Sequence, residues 1–598
     1  MLLQNLYMLK LAWKISPRRV LTDFLLSGID YFTRFFVSVT FIQIIVEAIE
    51  ANREFSYIAV FLVIATAYFF LTSLFSIWYS ERFVYMSDCY LHEKLNEQLF
   101  TQAANVELAC FEDAEFYNAY TLAAQEANER LRSVLRNLSG IIFAAACMTA
   151  IFYAMFQIDR FVIIFAVFPI FATFVIAKKM NKNTYDINKS STPHRRKLGY
   201  VDRVMYLKDY SIDIRLSNIT NILHKYLSVS TQNIIGIIEK YKTQMSVLHT
   251  ARKQLTFTLL YEGVVIYSAY MTLVRQTMTL GEFTILTAAM RTGVWTLIGL
   301  MEYISTAIEN ALFIQNYRTF MDYTPSIPEN QNGKEPPQQF ESLEFKNVYF
   351  KYRNTENNAL QQITFKLTKG ETIALVGHNG AGKTTLTKLM TRLYDPSDGE
   401  IMLNGVNIKD YRIKGYRSLF SSTCQDFKIF SMSVADNILM NAAYDSERLE
   451  DALKKSDAFG RVAALKDGVH TTLTREFDQN GAVLSGGEFQ KIAIARAFAR
   501  NFQIAVFDEP SSALDPMAEY HLFQSIKTHC QGKTLVFISH RLSSTIHADK
   551  IYVFENGQII EAGNHNALMA QKGAYFNMFT KQAEKYLNDG KQVKSHEA

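Results

Sequence analysis

The stretch Gly377-His-Asn-Gly-Ala-Gly-Lys-Thr384 follows an apolar, strand-like run and precedes a helix-like one. Its three glycines allow the backbone to come close to a phosphate group, and the N-terminus of the following helix favours negative charge. In this pattern Lys383 reaches the β- and γ-phosphates of a nucleotide, and the hydroxyl of Thr384 contacts Mg²⁺. The segment therefore predicts an α/β domain of the P-loop type.

Polar residues at two later strand ends fit the same chemistry. The run Ile504-Ala-Val-Phe-Asp508 is an apolar strand that ends in a carboxylate, where P-loop enzymes hold Mg²⁺, and Glu509 follows at once. A carboxylate there can polarise the water that attacks the γ-phosphate. His540 comes just after the strand-like run Leu535–Ser539, where it can reach the γ-phosphate or that water. A lone histidine is more often structural, so His540 gains its meaning from the other motifs.

The composition changes near residue 320, which indicates two bodies in this chain of 598 residues. Before that point, apolar runs are long enough to cross a bilayer, since a spanning helix needs roughly 20 residues. Six spans are predicted: about 20–48, 57–80, 138–158, 160–178, 254–274 and 282–315. We assign residues 1–323 to a helical membrane domain, 324–338 to a Pro-rich linker, 339–582 to the ATP-binding domain and 583–598 to a polar tail.

Charge and cysteine content narrow the class further. The net charge of +5 is small for this length, and its basic residues flank apolar segments, which does not suggest nucleic acid as a partner. The cations at 10–19 and 178–197 mark cytoplasmic flanks under the positive-inside rule. With an even number of spans, both termini and the ATP-binding domain are expected on the cytoplasmic side of the cell membrane. The five cysteines are scattered and predict neither a metal site nor a disulfide framework.

The order of motifs resembles that of one known family. Gly377–Thr384 is followed by Gln425, then by Leu484-Ser-Gly-Gly-Glu488, Asp508-Glu509, Ser511-Ser-Ala-Leu-Asp515 and His540. This order resembles the ATPase domain of ABC transporters, and the six spans in front resemble an exporter half. The resemblance implies the ABC exporter fold, with six membrane helices joined to an α/β P-loop ATPase, and an ATPase activity coupled to transport.

The resemblance assigns roles to particular residues, with ATP and Mg²⁺ as cofactors. It implies that Glu509, His540 and Gln425 take part in hydrolysis and that Thr384, Gln425 and Asp508 hold Mg²⁺. Tyr352 is expected to stack on adenine, although a strand aromatic is also a core residue in many proteins. The ATP-binding residues that it implies are Tyr352, Gly377, Asn379, Gly380, Gly382, Lys383, Thr384, Thr385, Ser485, Gly486, Gly487 and Asp515.

The signature segment further implies a dimer. In the family, Ser485, Gly486 and Gly487 of one subunit cap the γ-phosphate held by the P-loop of another. Because this chain carries one membrane half and one ATPase domain, a dimer is expected. The presence of Glu509, His540 and the Ser-Gly-Gly core favours a homodimer over a heterodimer. Glu488 departs from the commoner Gln of the family, without implying loss of hydrolysis. Phe111–Tyr117 and Met205–Leu216 are expected to contain the segments that dock onto ATPase domains.

Ionisable residues within the predicted spans are the candidates for a substrate cavity, because charge inside a membrane is costly unless it faces a cavity or a partner. Asp30 and Arg34 are four residues apart and can instead pair along one helix face. The candidates are Asp30, Arg34, Glu262, Arg291, Trp295 and Glu302.

Three functions are consistent with these features. Mixed charge and aromatic residues in the candidate cavity favour export of a peptide, which is the first hypothesis. The second is a flippase for a lipid or a lipid-linked glycan, or a multidrug efflux pump. The third is an ATP-gated channel or membrane regulator, which the presence of Glu509 disfavours.

Overall fold

The computed structural model describes residues 2–584 apart from positions 328, 331, 354, 441, 442, 511–513, 515, 540 and 583. The chain divides into two compact units. The first comprises residues 1–103 and 118–323, and the second comprises residues 104–117 and 324–598. The short segment 104–117 therefore belongs to the ATP-binding unit, although it lies between two long helices in the sequence.

The first unit is helical. Its helices are α1 Leu2–Ile15, α2 Pro17–Phe35, α3 Phe41–Glu50, α4 Phe55–Trp78, α5 Val84–Asn105, α7 Ala114–Ile158, α8 Val162–Tyr206, α9 Ser211–Leu216, α10 Ile219–Gln254, α11 Gly263–Leu273 and α12 Leu280–Met321. The helix α6, Leu108–Glu112, lies in the second unit. Short π-helical stretches at Phe36–Thr40, Tyr79–Phe83 and Leu255–Glu262 join neighbouring helices without a break. Helix α12 begins with a capping box in which the side chains of Thr279 and Glu282 satisfy backbone N–H groups at the helix start.

Four continuous helical segments among the described residues are long and apolar enough to cross a membrane. They are Pro17–Glu50, Phe55–Asn105, Ala123–Ile158 and Leu280–Met321. In the second of them, only 6% of the most apolar 18-residue stretch is buried within the chain, so its apolar side chains face outward. Long apolar helices with so little burial are typical of membrane proteins.

Four of the six predicted spans thus coincide with helices that meet this criterion. The spans predicted at 160–178 and 254–274 lie in helices as well, but these helices are not among the four. Several side chains in the first of them, at positions 165–167 and 170, lie outside the described residues. The second is continuous with the π-helical stretch Leu255–Glu262, whose threonines and glutamate reduce its apolar character. The count of six spans remains a prediction.

A packed core lies within the membrane unit. Residues from the second half of α7, the stretch around α11 and the first half of α12 form one buried cluster, which includes Ile151, Leu260, Val264, Leu286 and Met290. The polar candidates for the substrate cavity are not members of this core, because they are exposed on the single chain.

The second unit is an α/β domain with two sheets. A six-stranded sheet has the order β10-β9-β3-β8-β7-β6, and a four-stranded antiparallel sheet has the order β2-β1-β4-β5. The strands are β1 Ser342–Phe350, β2 Leu360–Thr368, β3 Thr372–Gly377, β4 Asp398–Leu403, β5 Val406–Asn407, β6 Phe420–Thr423, β7 Ile504–Asp508, β8 Thr534–Ile538, β9 Lys550–Glu555 and β10 Gln558–Gly563. The helices are α13 Lys383–Met390, α14 Ile413–Ser418, α15 Val434–Leu439, α16 Ser446–Lys455, α17 Phe459–Ala463, α18 Gly486–Phe498, α19 Pro516–His529 and α20 His565–Gln571.

The order of the larger sheet brings several strand ends to one edge. Strand β3 pairs in parallel with β8 and β9, and β8 pairs in parallel with β7. The carboxyl ends of β3, β8 and β7 therefore meet at one edge, and every residue of β7 is buried. In open parallel sheets, ligands bind at such carboxyl ends.

Candidate ATP-binding site

The loop between β3 and α13 has the backbone that the glycine pattern predicts. Gly377 and Gly382 have φ angles of +149° and +102°, which residues with side chains rarely adopt. A Cβ atom on Gly377 would lie 2.3 Å from the carbonyl oxygen of Phe554 on the neighbouring strand β9. Gly382 is also the N-cap of α13 and offers no side chain to the first N–H groups of that helix. The helix start is therefore open to an external anion.

The side chain of Lys383, the first residue of α13, reaches back to the preceding loop. Its Nζ atom donates hydrogen bonds of 2.9 Å to the carbonyl oxygens of both Gly377 and His378. Burial lowers the pKa of this ammonium, while Glu509 and Asp508 oppose that effect. The lysine is thus held in the loop by neutral acceptors, and a phosphate would provide it with a full counter-charge.

Thr384 and Asp508 form the second part of the site. The hydroxyl of Thr384 donates a 3.1 Å hydrogen bond to Oδ2 of Asp508, whose other oxygen, Oδ1, is buried and has no hydrogen-bond partner among the residues that the structure describes. Burial raises the pKa of Asp508 to about 6, the bond from Thr384 lowers it, and neighbouring Glu509 raises it further.

This donor set fits Mg²⁺. Buried carboxylates are normally satisfied by hydrogen bonds or a cation, so the second oxygen of Asp508 is suited to a metal ion. Mg²⁺ commonly takes one or two protein oxygens and completes its shell with water and substrate phosphates. The hydroxyl of Thr384, the carboxylate of Asp508 and the side-chain oxygen of Gln425 are the groups that would hold it.

Glu509 is fixed beside this pair by an unusual backbone conformation. Its φ is +49°, in the left-handed region that non-glycine residues seldom adopt, and its backbone N–H donates to the carbonyl oxygen of Ile538 on β8. The amide of Gln425 donates a 3.1 Å hydrogen bond to Oε2 of Glu509. The amide of Gln490, on α18, donates to the Glu509 carbonyl oxygen over 3.2 Å. Such strain is commonly found at functional sites, where it aims a side chain.

The residues of the P-loop enclose a cleft of about 640 Å³ with Gln425 and Glu509. This volume is within the range of ordinary small-molecule sites. Asn379, Gly380, Gly382, Lys383, Thr384 and Thr385 all line it. The cleft therefore brings together six of the twelve predicted ATP-binding residues. His540 and Asp515, with positions 511–513 of the same motif, lie outside the described residues.

Tyr352 lies next to the P-loop helix. Its hydroxyl is 3.1 Å from the hydroxyl of Thr385, and the ammonium of Lys388 lies 5.3 Å from the centre of its ring. The ring packs edge-on against Phe350 and Tyr394, at centroid distances of 4.9 and 5.5 Å. Stacking on adenine remains a prediction for this side chain.

Segment 104–117 contributes a residue that the sequence does not identify as a partner of this site. Glu112, at the end of α6, accepts a 2.6 Å hydrogen bond from the hydroxyl of Tyr394 and lies 3.4 Å from Nζ of Lys388. Burial, followed by this bond to Glu112, raises the pKa of Tyr394. The family resemblance predicts that Phe111–Tyr117 docks onto an ATPase domain. It does not predict the contact between Glu112 and Tyr394, because the two residues are 282 positions apart in the sequence.

The signature segment forms a helix start of its own. Ser485 is the N-cap of α18, and its hydroxyl accepts a 3.3 Å hydrogen bond from the N–H of Glu488. In return, Oε2 of Glu488 accepts a 2.7 Å bond from the N–H of Ser485. These bonds lower the pKa of Glu488, and the guanidinium of Arg461, 2.7 Å from Oε1, acts in the same direction. Glu488 is therefore an ionised member of a capping box, a role that Gln can also fill.

The substrate-cavity candidates are less defined. Asp30 and Arg34 form an ion pair of 2.9 Å, as their spacing allows. Trp295 packs edge-on against Phe257, at a centroid distance of 5.8 Å. All six candidates are exposed on the single chain: Asp30, Arg34, Glu262, Arg291, Trp295 and Glu302. The structure does not join them into one site.

Comparison with known proteins agrees with the predicted fold. Residues 360–512 match the family model described as ABC transporter. The fold resembles the structure of a bacterial Atm1-family ABC exporter with ATP bound, with a TM-score of 0.75 at 22% identity over 95% of this chain and 98% of that one. Residues 360–512 are thus similar to an ABC transporter domain, and the chain as a whole has the fold of that exporter.

Curated relatives add a more particular resemblance. The chain is 40% identical over 259 residues to an ATP-dependent lipid A-core flippase of Haemophilus influenzae, covering 43% of each chain. It is 33% identical over 332 residues to that of Haemophilus ducreyi, covering 55% of this chain and 56% of that one. It is 36% identical over 318 residues to that of Pectobacterium atrosepticum, covering 52% of this chain and 53% of that one. The matched regions thus span about half the length of these relatives or less.

These relatives change the order of the functional hypotheses. Mixed charges in the spans favour peptide export, yet the relatives are named for lipid A-core and not for peptides. They support the flippase alternative better. The reason for the difference is physical, because a few charges and aromatic residues suit a charged lipid headgroup as well as a peptide.

Proposed function

We propose that this chain is one half of an ATP-driven exporter that moves a lipid with a polar headgroup across the cytoplasmic membrane. The observation that carries the proposal is the combination of a complete P-loop, Asp508 and Glu509 site with the exporter fold and with relatives that are named as lipid flippases. The headgroup would bind among the exposed polar residues of the membrane unit, and the acyl chains would stay in contact with apolar helix surface.

The ATP step is derived from the residues of the cleft. Lys383 and the open start of α13 bind the phosphates, and Tyr352 contacts the base. Mg²⁺ held by Thr384, Asp508 and Gln425 would offset charge on the β- and γ-phosphates. Glu509 accepts a hydrogen bond from the attacking water and so orients it toward the γ-phosphate, while Gln425 keeps the carboxylate in place through the 3.1 Å bond.

The working unit is proposed to be a homodimer. One chain carries one P-loop and one signature segment, and Ser485 of the partner would reach the γ-phosphate from the other side. The segment Met205–Leu216 of the first unit supports an interface with another chain, since its side chains Tyr206, Ile212 and Leu216 are 67% to 82% exposed. Apolar side chains with that exposure usually mark a contact surface. ATP binding would close two ATPase domains, and hydrolysis would reopen them.

The test is a lipid-flipping assay in proteoliposomes. Purified chain is reconstituted with a fluorescent, headgroup-charged lipid, and the fraction of label that an external quencher cannot reach is followed after addition of ATP. We expect ATP-dependent movement with the wild-type chain. Glu509→Gln should lower turnover by about 100-fold or more, because the side chain loses its ability to act as a base, while retaining nucleotide binding.

The competing functions give different results in the same vesicles. Turnover stimulated only by peptides, with no lipid movement, would restore peptide export. ATP-dependent leakage of a soluble dye without directional lipid movement would support the ATP-gated channel. Unchanged turnover in Glu509→Gln would remove the role assigned to that carboxylate.

A further inference from the structure

A groove with almost entirely apolar walls lies between α1 and the start of α2. It has a volume of about 460 Å³ and is lined by Leu6, Leu9, Lys10, Trp13, Val20, Leu21 and Phe24. Six of these seven residues are apolar, and Lys10 alone brings a charge. The groove is separate from the polar substrate-cavity candidates, none of which lines it.

Helix α1 has two different faces. On one face, Asn5, Met8 and Ala12 are buried, and the amide of Asn5 donates a 2.9 Å hydrogen bond to the carbonyl oxygen of Ala307 on α12. On the other face, Leu2, Leu6 and Trp13 are 43% to 60% exposed. The buried face anchors the helix, so the apolar face remains available to something outside the chain.

The exposed charges of α1 and of the first turn of α2 are all positive. Residues 1–22 contain four cations and no acidic residue. Arg19 is buried and paired with Asp23 and Asp88, whereas Lys10, Lys14 and Arg18 are exposed. An apolar trough with three exposed cations complements a ligand that has an acyl chain and an anionic headgroup.

We propose that this groove binds one anionic membrane phospholipid, with an acyl chain against Trp13, Leu21 and Phe24 and its phosphate near Lys10, Lys14 and Arg18. The position supports a lipid and not a soluble ligand, because α2 opens the first membrane-spanning segment, Pro17–Glu50. Aromatic rings such as Trp13 prefer the boundary between headgroups and acyl chains. The bound lipid would hold α1 at the cytoplasmic surface, and the proposal does not depend on which substrate is transported.

Trp13 provides a direct reporter. The chain has three tryptophans, so Trp78→Phe and Trp295→Phe leave Trp13 alone. Full-length protein with these two changes is placed in phosphatidylcholine nanodiscs without nucleotide, and a fixed fraction of brominated phosphatidylglycerol or brominated phosphatidylcholine is added. We expect the brominated anionic lipid to quench Trp13 emission about threefold more strongly, because cations near a membrane surface concentrate anionic lipid.

Two sets of variants separate a built site from general surface charge. Lys10→Gln, Lys14→Gln and Arg18→Gln together should abolish the difference between the two lipids. The matched control, Lys178→Gln, Lys179→Gln and Lys182→Gln, removes three exposed cations from α8 and should leave the difference intact. Leu6→Phe with Leu21→Phe fills the groove without changing charge and should also abolish it.

Three outcomes would overturn the proposal. Equal quenching by both lipids would mean that the groove takes no anionic lipid. Preference that survives in the groove-filling variant would place the lipid on the surface and not in the groove. Absence of quenching by either lipid would mean that protein, such as a second copy of the chain, covers the groove.

Discussion

Two helix starts in the ATP-binding unit are both suited to an anion, yet they are built in opposite ways. The start of α13 has Gly382 at its N-cap and no side-chain cap, so its backbone N–H groups depend on an external partner. The start of α18 is closed by the reciprocal bonds of Ser485 and Glu488, and Arg461 neutralises the carboxylate. The first site is therefore incomplete without a phosphate, while the second is stable by itself and adds contacts only when a phosphate approaches.

The two helix starts should differ most in their response to pH. Because Asp508, next to α13, has a pKa raised to about 6 by burial, protonation would remove the carboxylate that we propose as a ligand of Mg²⁺. Turnover at low ATP should fall about tenfold between pH 7 and pH 5, as the ionised fraction declines. Glu488, next to α18, has a lowered pKa and remains ionised over this range. The measurement is kcat/KM for ATP with excess Mg²⁺.

Two controls accompany this profile. At saturating ATP and Mg²⁺ the decline should move to lower pH, because a bound cation favours the ionised carboxylate. In the nucleotide-free protein, the free energy of unfolding should fall as pH rises from about 3.8 to about 6. In this range Asp508 loses its proton in the unfolded chain but keeps it in the folded one. A flat kcat/KM between pH 5 and pH 7 would show that Asp508 does not limit the reaction.

A middle-sized effect is expected at the closed helix start. Glu488→Ala removes half of the capping box and should destabilise the start of α18 by about 1 kcal/mol, with turnover reduced several-fold. Glu488→Gln keeps the reciprocal cap but removes the negative charge, so we expect turnover near that of wild type and a KM for ATP that falls about twofold to fivefold. Thermal unfolding and steady-state kinetics of both variants check this. Equal loss in the two would mean that charge and not capping is what matters.

The predictable part of this protein is the part whose chemistry fixes the backbone. A phosphate cradle needs residues that tolerate positive φ at Gly377 and Gly382, so the spacing of the glycines alone predicts the loop. Asp508 and Glu509 follow from the position of a strand end. The sheet order then brings these separate motifs to one edge, and this long-range arrangement is implied by the family resemblance and not by the residues themselves.

The remaining features depend on contacts that leave little local signal. Glu112 meets Tyr394 across 282 residues of sequence, and Gln490 reaches the carbonyl oxygen of Glu509 from another helix. The identity of the substrate is harder still. Arg34 and Arg291 are exposed on the single chain, and a lipid headgroup and a peptide both satisfy an exposed arginine. Side-chain type alone therefore does not separate a peptide from a lipid headgroup, and only the comparison with relatives moves the flippase hypothesis ahead of peptide export.

The smallest expected effect concerns the far end of the P-loop helix. Lys388, in the last turn of α13, lies 3.4 Å from Glu112, which connects this helix to the segment between α5 and α7. Glu112→Gln removes that charge pair while its amide oxygen still accepts from Tyr394. Because the pair is partly exposed, basal turnover should stay unchanged, and stimulation by transported lipid should fall by about twofold to threefold.

The double-mutant cycle with Tyr394→Phe decides whether this contact transmits anything. If Glu112 acts through α13, the two single changes should reduce lipid stimulation less than additively when combined, since they interrupt one connection. Strictly additive losses would assign the two residues to independent roles. A fall in basal turnover as large as the fall in stimulation would instead show that Glu112 supports the fold of the nucleotide site. The start of α13 would then depend on this distant carboxylate as well as on the glycines of the P-loop.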